Sequence, residues 1–417
     1  SASRLPLFIV TFVVRNNKPH NTHVYMTARV VSATAYGFEG RLIDIECDLT
    51  KGLPAFSIVG LGNKAIDEAK ERVRSAIRNS HLDFPAKKLT INLAPANLPK
   101  DGSHFDLPIA LAVLVANGEL RQQSLKGVLC AGELSLSGEL RPVRGIINIV
   151  ETAREHGFQS VIVPVGNAKQ ASLVKDIAVI GANTLTDVFL HCLGEIKLPV
   201  VEHHTPIRQS QHSIDISDIK GQDQAKRALT IAAAGGHNLL MDGPPGAGKT
   251  MLARALVSLL PSPSYEEQIA ITKLHSLVTD GDEAIIAERP FRSPHHTASS
   301  ISLIGGGTKP QPGEVSLAHH GVLFLDELPE YPRASLEALR QPLEDLEVHV
   351  SRAASRVTYP ANFMLIATKN PCPCGYYGDQ EHECSCSLPQ ILNYQKRISG
   401  PLLDRIDMSI SVSRVPE

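Results

Sequence analysis

Apolar and polar residues alternate along residues 41–48 (RLIDIECD), the period of a half-buried strand. Further on, Ala65, Ile66, Ala69, Val73, Ala76 and Ile77 recur at helical spacing with charges between them, which predicts an amphipathic helix over 63–79. Residues 88–93 predict a short strand and 107–116 a nearly all-apolar helix. Residues 127–136 and 160–164 predict strands around a helix over 146–156. Together they imply an α+β or α/β unit ending near Leu193. Residues 198–213 (LPVVEHHTPIRQSQHS) show no period, carry two prolines and three histidines, and read as a linker. From Ile214 the pattern restarts, with helices over 222–234 and 250–260 and apolar strands at 237–242, 321–325 and 362–368. Strands alternating with helices imply a parallel sheet.

Composition narrows the partners. The chain has 417 residues, enough for two or three domains, and a net charge of −2. A polycation that coats nucleic acid is excluded, so any nucleic-acid contact must come from a local basic patch. No Trp is present and aromatics are 5%, which disfavours base-stacking platforms. No apolar run reaches the roughly 18 residues that span a bilayer. Residues 5–14 are too short and lack a nearby cleavage site, so a signal peptide is not expected. Residues 1–25 do not share the pattern of the chain after Met26. They read as an extension ahead of a natural start at Met26, with an edge strand over 7–14 as the alternative. Cys47, Cys130 and Cys192 are scattered in apolar contexts, as in a cytoplasmic protein with reduced thiols.

The chemistry concentrates after Leu239. A short apolar strand runs into Gly243, Pro244, Pro245, Gly246, Ala247, Gly248, Lys249 and Thr250, and a helix comes next. This is the phosphate-binding G-x-x-x-x-G-K-[ST] loop in its strand–loop–helix setting. Its amides and the helix N-terminus favour phosphate; Lys249 neutralises β/γ oxygens and Thr250 serves Mg²⁺. A second strand ends in Asp326 and Glu327, suited to holding Mg²⁺ and polarising the attacking water. A third ends at Lys369 and Asn370, and Asn370 can contact the γ-phosphate or orient water. ATP and Mg²⁺ are therefore the expected cofactors.

Cys372, Cys374, Cys384 and Cys386 crowd into one loop directly after Asn370. Four thiolates at this spacing suit a structural Zn²⁺. His382 can replace one cysteine, an iron–sulfur cluster is a minor alternative, and disulfides are unexpected in a reducing compartment. Residues 345–359 alternate around Val348, Val350 and Val357 as a hairpin does, with Arg352 and Arg356 at its tip.

The segments GPPGAGKT, VLFLDE, ATKNPCPCG and LLDRID together resemble AAA+ ATPases of the magnesium-chelatase-like group. The resemblance implies that Gly221 and Gln222 belong to the adenine-side segment. It implies that Arg405 is an arginine finger reaching a neighbour's γ-phosphate, hence a homo-oligomeric ring, usually a hexamer. A surface ion pair with Asp404 or Asp407 is the alternative for Arg405. Residues 293–307 resemble the group's insert within the second helix. The hairpin over 345–359 corresponds to one that lines the pore, so Arg352 and Arg356 would face DNA.

Earlier in the chain, residues 132–145 and Lys100-Asp101-Gly102 resemble the Lon protease domain. In register, His104 takes the place of the nucleophilic serine and Ile147 that of the lysine base, and Ser103 is one residue off. A Lon-like fold without peptidase activity is expected. The combination resembles the ComM family of bacterial competence proteins, over roughly Met26 to the end. The expected organisation is an extension over 1–25, a Lon-like domain over 26–195, a linker over 196–213 and an ATPase core over 214–417, with the family's helical lid absent from this chain. The implied function is a ring-forming, ATP-driven DNA motor, a branch-migration helicase acting on single-stranded or branched DNA in natural transformation, with a recombinase as a candidate partner. A chelatase-type motor subunit and an ATP-dependent protease are the alternatives, and Ile147 argues against the second.

Overall fold

The computed structural model describes residues 27–60, 63–96, 98, 100, 102–203, 214–279, 285–307, 310–352, 355–379 and 381–414. The expectations about residues 1–25 and Met26, and most of the linker, lie outside the described residues.

The N-terminal unit is built on seven strands. These are β1 (Ala28–Tyr36), β2 (Glu39–Thr50), β3 (Ala55–Val59), β4 (Lys88–Ala94), β5 (Val128–Cys130), β6 (Ser160–Pro164) and β7 (Ala178–Ala182), in the sheet order β3-β4-β2-β1-β5-β6-β7. β2 pairs antiparallel with β1 and β4, and the remaining neighbours are parallel. The period-2 pattern is explained by burial on both faces. Ile43, Ile45 and Cys47 pack with α1 (Asn63–Asn79) and α2 (Asp106–Asn117), while Ala33, Leu129 and Val161 pack with α3 (Ile146–Glu155) and α4 (Val165–Ala171) on the other side. α2 is apolar all round because Leu107 to Leu114 are all buried. A fifth helix, α5 (Leu185–Leu193), opens on a capping box between Thr184 and Asp187.

Two expectations change here. The single strand over 127–136 is broken: β5 ends at Cys130, and Glu133–Leu134 pairs antiparallel with Leu140–Arg141 instead. The Gly132 amide donates to the His104 carbonyl at 2.9 Å, which draws the chain off the sheet toward the start of α2. The first linker residues are also not free: Val200 bridges Ile180, and the Val201 amide donates to Val179 at 2.8 Å.

The second unit is a parallel five-stranded sheet. It contains β8 (Leu239–Asp242), β9 (Phe291–Arg292), β10 (Val322–Leu325), β13 (Met364–Lys369) and β14 (Met408–Ser411), in the order β9-β10-β13-β8-β14. Between β10 and β13 the chain makes an antiparallel hairpin, β11 (Glu347–Arg352) and β12 (Ser355–Pro360). One face carries α6 (Asp223–Gly235) and α7 (Lys249–Leu259), and the other carries the hairpin's valines and Leu323 and Leu365. This order sets β8 beside β13 and β13 beside β10, so residues just past three strands distant in sequence converge at one end of the sheet.

The two units dock through α8 (Tyr265–Ser276). Lys273 pairs with Glu151 at 2.5 Å and lies 4.1 Å over the Phe38 ring. The Gly145 amide donates to the Ser276 carbonyl at 2.9 Å. Tyr36 and Phe38, on either side of the β1–β2 turn, pack against the core that holds the β11–β12 hairpin. Among the described residues no helix is long and apolar enough to cross a membrane.

Candidate nucleotide site and metal centre

The loop Gly243–Thr250 joins β8 to α7, and Gly248 at the helix start has φ +84°, open to glycine and strained for other residues. Lys249 is buried. Its Nζ donates to the carbonyls of Gly243 (2.5 Å) and Pro244 (3.0 Å) and to Asn370 Oδ1 (3.0 Å). Burial pushes its pKa down, while Asp326, Asp242 and Glu327 oppose that shift. The Thr250 hydroxyl donates to Asp326 Oδ2 at 3.0 Å. The ends of β8, β10 and β13 therefore bring together Lys249, Thr250, Asp326 and Asn370, as the motif spacing implied.

Glu327 succeeds Asp326 in a left-handed conformation, φ +54°, rare for a residue with a Cβ and concentrated at functional sites. Its carboxylate is exposed and its amide donates to Thr368 Oγ1 at 2.9 Å. The Thr368 hydroxyl in turn donates to Asp326 Oδ1 at 2.5 Å. Thr368 thus orients both acids. Sequence reasoning passed over it, because a threonine inside an apolar strand carries no motif. Gln222, also left-handed, donates from Nε2 to the carbonyls of Ala247 (3.2 Å) and Ser413 (2.6 Å), and Gly221 precedes it at φ +61°. The Gly221–Gln222 segment therefore touches the phosphate loop directly.

Arg405 lies elsewhere. Its carbonyl accepts from Asn238 Nδ2 at 2.8 Å, just before β8 begins, whereas the phosphate loop leaves the other end of β8. Four strand residues, roughly 13 Å, separate the two levels. Its guanidinium is partly exposed and pairs with Glu344, not with Asp404 or Asp407. Asp407 instead accepts the Asn238 amide at 2.7 Å. In the hairpin, Arg356 is exposed opposite Ser351, and Arg352 stands opposite Ser355. The two tip residues, and the side chain of Arg352, are outside the described residues.

The four cysteine sulfurs lie within 4.8 Å of one another. Sγ of Cys372 is 3.3 Å from Cys374 and 3.6 Å from Cys384, and Cys374 is 3.6 Å from Cys384. Tetrahedral Zn–S bonds of ~2.3 Å would place sulfurs roughly 3.8 Å apart, so these four fit one such ion. All four are free thiols. The backbone amides of Tyr377 (to Cys372, 3.3 Å) and Cys386 (to Cys384, 3.4 Å) donate to sulfur, an outer shell suited to thiolates. The Tyr376 amide, with further donors, draws the Cys374 thiol below its ordinary value, while desolvation and the neighbouring cysteines hold Cys384 and Cys386 above theirs.

In the N-terminal unit, the residues that the Lon resemblance sets at the dyad positions are buried. Ile147 is fully buried in the core beneath α3. His104 is buried, its Nε2 has no hydrogen-bond partner among the described residues, and desolvation pushes its pKa down to about 4. Ser103 donates to Glu133, and buried Asp106 pairs with Arg72 at 2.6 Å.

A parallel sheet carrying a phosphate loop, two acids on the next-but-one strand and a polar residue on the strand between them defines a P-loop ATPase core of the AAA+ type, here fused to a Lon-like domain. Magnesium chelatase subunit ChlI families match residues 215–417 and 45–167. The chain is 47% identical over 395 residues to the competence protein ComM of Haemophilus influenzae, covering 94% of this chain and 77% of that protein. It is 45% identical over 389 residues to the uncharacterized protein YifB of Escherichia coli K12, covering 93% and 76%. Over 166 residues it is 30% identical to Lon protease 2 of Bacillus subtilis, 38% of this chain and 30% of that one. The chain belongs to the ComM/YifB-type family of magnesium-chelatase-like ATPases.

Proposed function

We propose that this protein is an ATP-driven DNA motor that works as a homo-oligomeric ring, a hexamer by family resemblance, and migrates branches in recombination intermediates during natural transformation. The observation that carries this reading is the placement of the β11–β12 hairpin. It is inserted between β10 and β13, the strands that end in Asp326 and Asn370. A change at the phosphate end of those strands is one strand length from the roots of the hairpin. Arg352 and Arg356 give that hairpin local positive charge for a phosphate backbone.

In this reading Lys249 neutralises the β/γ oxygens, and Asn370, its partner in the structure, contacts the γ-phosphate. Thr250 and Asp326 hold Mg²⁺, which when bound neutralises charge on the transferred phosphoryl group. Glu327 takes the proton of the attacking water, held in place through Thr368. Arg405, a strand length from its own Lys249, serves the neighbouring subunit, which makes the ring a condition of turnover. Cys372, Cys374, Cys384 and Cys386 hold one Zn²⁺. The competence name of the Haemophilus relative supports a role in transformation, and a recombinase is the candidate partner. ATP turnover of the full-length protein should rise with forked or single-stranded DNA. Turnover indifferent to both would overturn the DNA-motor reading.

A further inference from the structure

We infer that Arg414 is a positioning residue for nucleotide binding, because it ties the outer wall of the phosphate loop to the four-cysteine loop. Nε and Nη2 of Arg414 donate to the Pro245 carbonyl at 3.3 and 3.1 Å. Its Nη1 meets Glu381 Oε2 at 3.1 Å and His382 Nδ1 at 2.9 Å, and its guanidinium lies 5.7 Å from the centre of the Tyr376 ring. Asp379 Oδ2 is 4.0 Å away. Tyr376, Asp379, Glu381 and His382 all lie between the two cysteine pairs.

A second contact joins the same surfaces. Gly375, next to Cys374, has φ +86°, and a Cβ there would sit 2.6 Å from Pro245 Cδ. The cysteine loop is therefore pressed against Pro245 by a close backbone approach and tied to its carbonyl through Arg414.

The physical consequence lies in the two prolines. Pro244 and Pro245 carry no N–H, so the phosphate-facing donors must come from the residues after them. Those amides point inward only while the preceding carbonyls point outward. The carbonyls of Gly243 and Pro244 are taken by Lys249, which must leave them to meet phosphate. The Pro245 carbonyl is held instead by Arg414, a group outside the loop that need not move. The trio Asp379, Glu381 and His382 has ligand atoms close enough for a metal. Arg414 already supplies the positive charge there, so the trio acts as an anchor for the guanidinium.

This inference rests on reading Gly243–Thr250 as the nucleotide site and the four cysteines as a metal centre. ATP binding is measured directly by titration on full-length protein, with metal content determined in parallel. Arg414→Ala should weaken ATP binding about tenfold, the loss of a charge-assisted pair of hydrogen bonds. The loss should appear in KM rather than kcat, and zinc should stay at one equivalent. Arg414→Lys should recover part of it, and Gly375→Ala should reproduce it. Stripping the metal should weaken ATP binding in the wild type and add little in Arg414→Ala, because both act through Pro245. Wild-type affinity in Arg414→Ala overturns the contact and leaves the metal reading intact. A full additional loss on stripping Arg414→Ala overturns the link between metal and loop. Wild-type protein that binds ATP and holds no metal overturns the metal centre alone, and the Arg414 contact then stands or falls on the affinity of Arg414→Ala.

Discussion

Lys249 and Lys100 are both buried lysines whose Nζ is held by backbone carbonyls, and burial pushes both pKa values down. Around Lys249, Asp326, Asp242 and Glu327 oppose the shift, and Asn370 shares the ammonium. Lys100 donates to the carbonyls of Pro95 and Leu98, and desolvation acts on it with no carboxylate opposing among the described residues. By resemblance to Lon, the dyad positions of that domain fall on His104, which is buried, and Ile147, which lies in the core. One lysine can exchange its carbonyl partners for phosphate; the other caps a loop. A buried lysine becomes part of a site through its neighbours' chemistry.

The sharpest test strikes the ATPase side. Glu327→Gln keeps Thr250, Asp326 and Lys249, so it should bind ATP normally and lose on the order of 100-fold or more in kcat. Near-wild-type turnover would show that Glu327 has no more chemical role than Lys100.

On the other side, Ile147→Lys puts a lysine where the Lon resemblance expects one. It places an ammonium in a fully buried core, so it should destabilise by about 3 kcal/mol or more in denaturant melts. Peptide hydrolysis should not appear, since on the same register His104 still stands where a serine is needed. Peptidase activity in Ile147→Lys would break the comparison.

His104 gives that domain a pH signature. Its pKa is about 4 in the folded chain against an ordinary 6.5, so the unfolded chain takes up a proton that the folded chain refuses. Its stabilising contribution is complete above about pH 6.5 and is lost as pH falls toward 4, a change on the order of 3 kcal/mol. His104→Gln should reduce the stability difference between pH 7 and pH 4 by that amount, read from urea melts at both values. An unchanged difference would mean the ring protonates freely in the fold.

The smallest effect concerns the hairpin. Arg352→Ala with Arg356→Ala should lower the salt slope of DNA binding by about two units and remove DNA stimulation of turnover. An unchanged slope would assign both arginines to a solvated tip.

Legibility differed between the two units for a physical reason. The phosphate loop could be read directly, because eight contiguous residues must supply its glycine conformations, amides, lysine and hydroxyl between a strand and a helix. Asp326 and Asn370 were legible as polar residues ending apolar runs, and the cysteines by their crowding. In the Lon-like unit the reading of His104 and Ile147 rests on register with a family, not on a contiguous motif. Thr368 was not legible, since its role depends on strand β13 lying beside β10.

The sequence by itself determined the class of chemistry and the parallel α/β core, because each rests on residue types within a short stretch. Only the tertiary structure decided which groups meet. Strand order placed Asn370 on Lys249 and set Arg405 at the far end of β8, paired with Glu344. The close approach of Gly375 to Pro245 and the reach of Arg414 across 169 residues bound the cysteine loop to the phosphate loop. Those contacts depend on how separated segments pack, and a hydrogen bond to a backbone carbonyl leaves no residue pattern in the chain that accepts it.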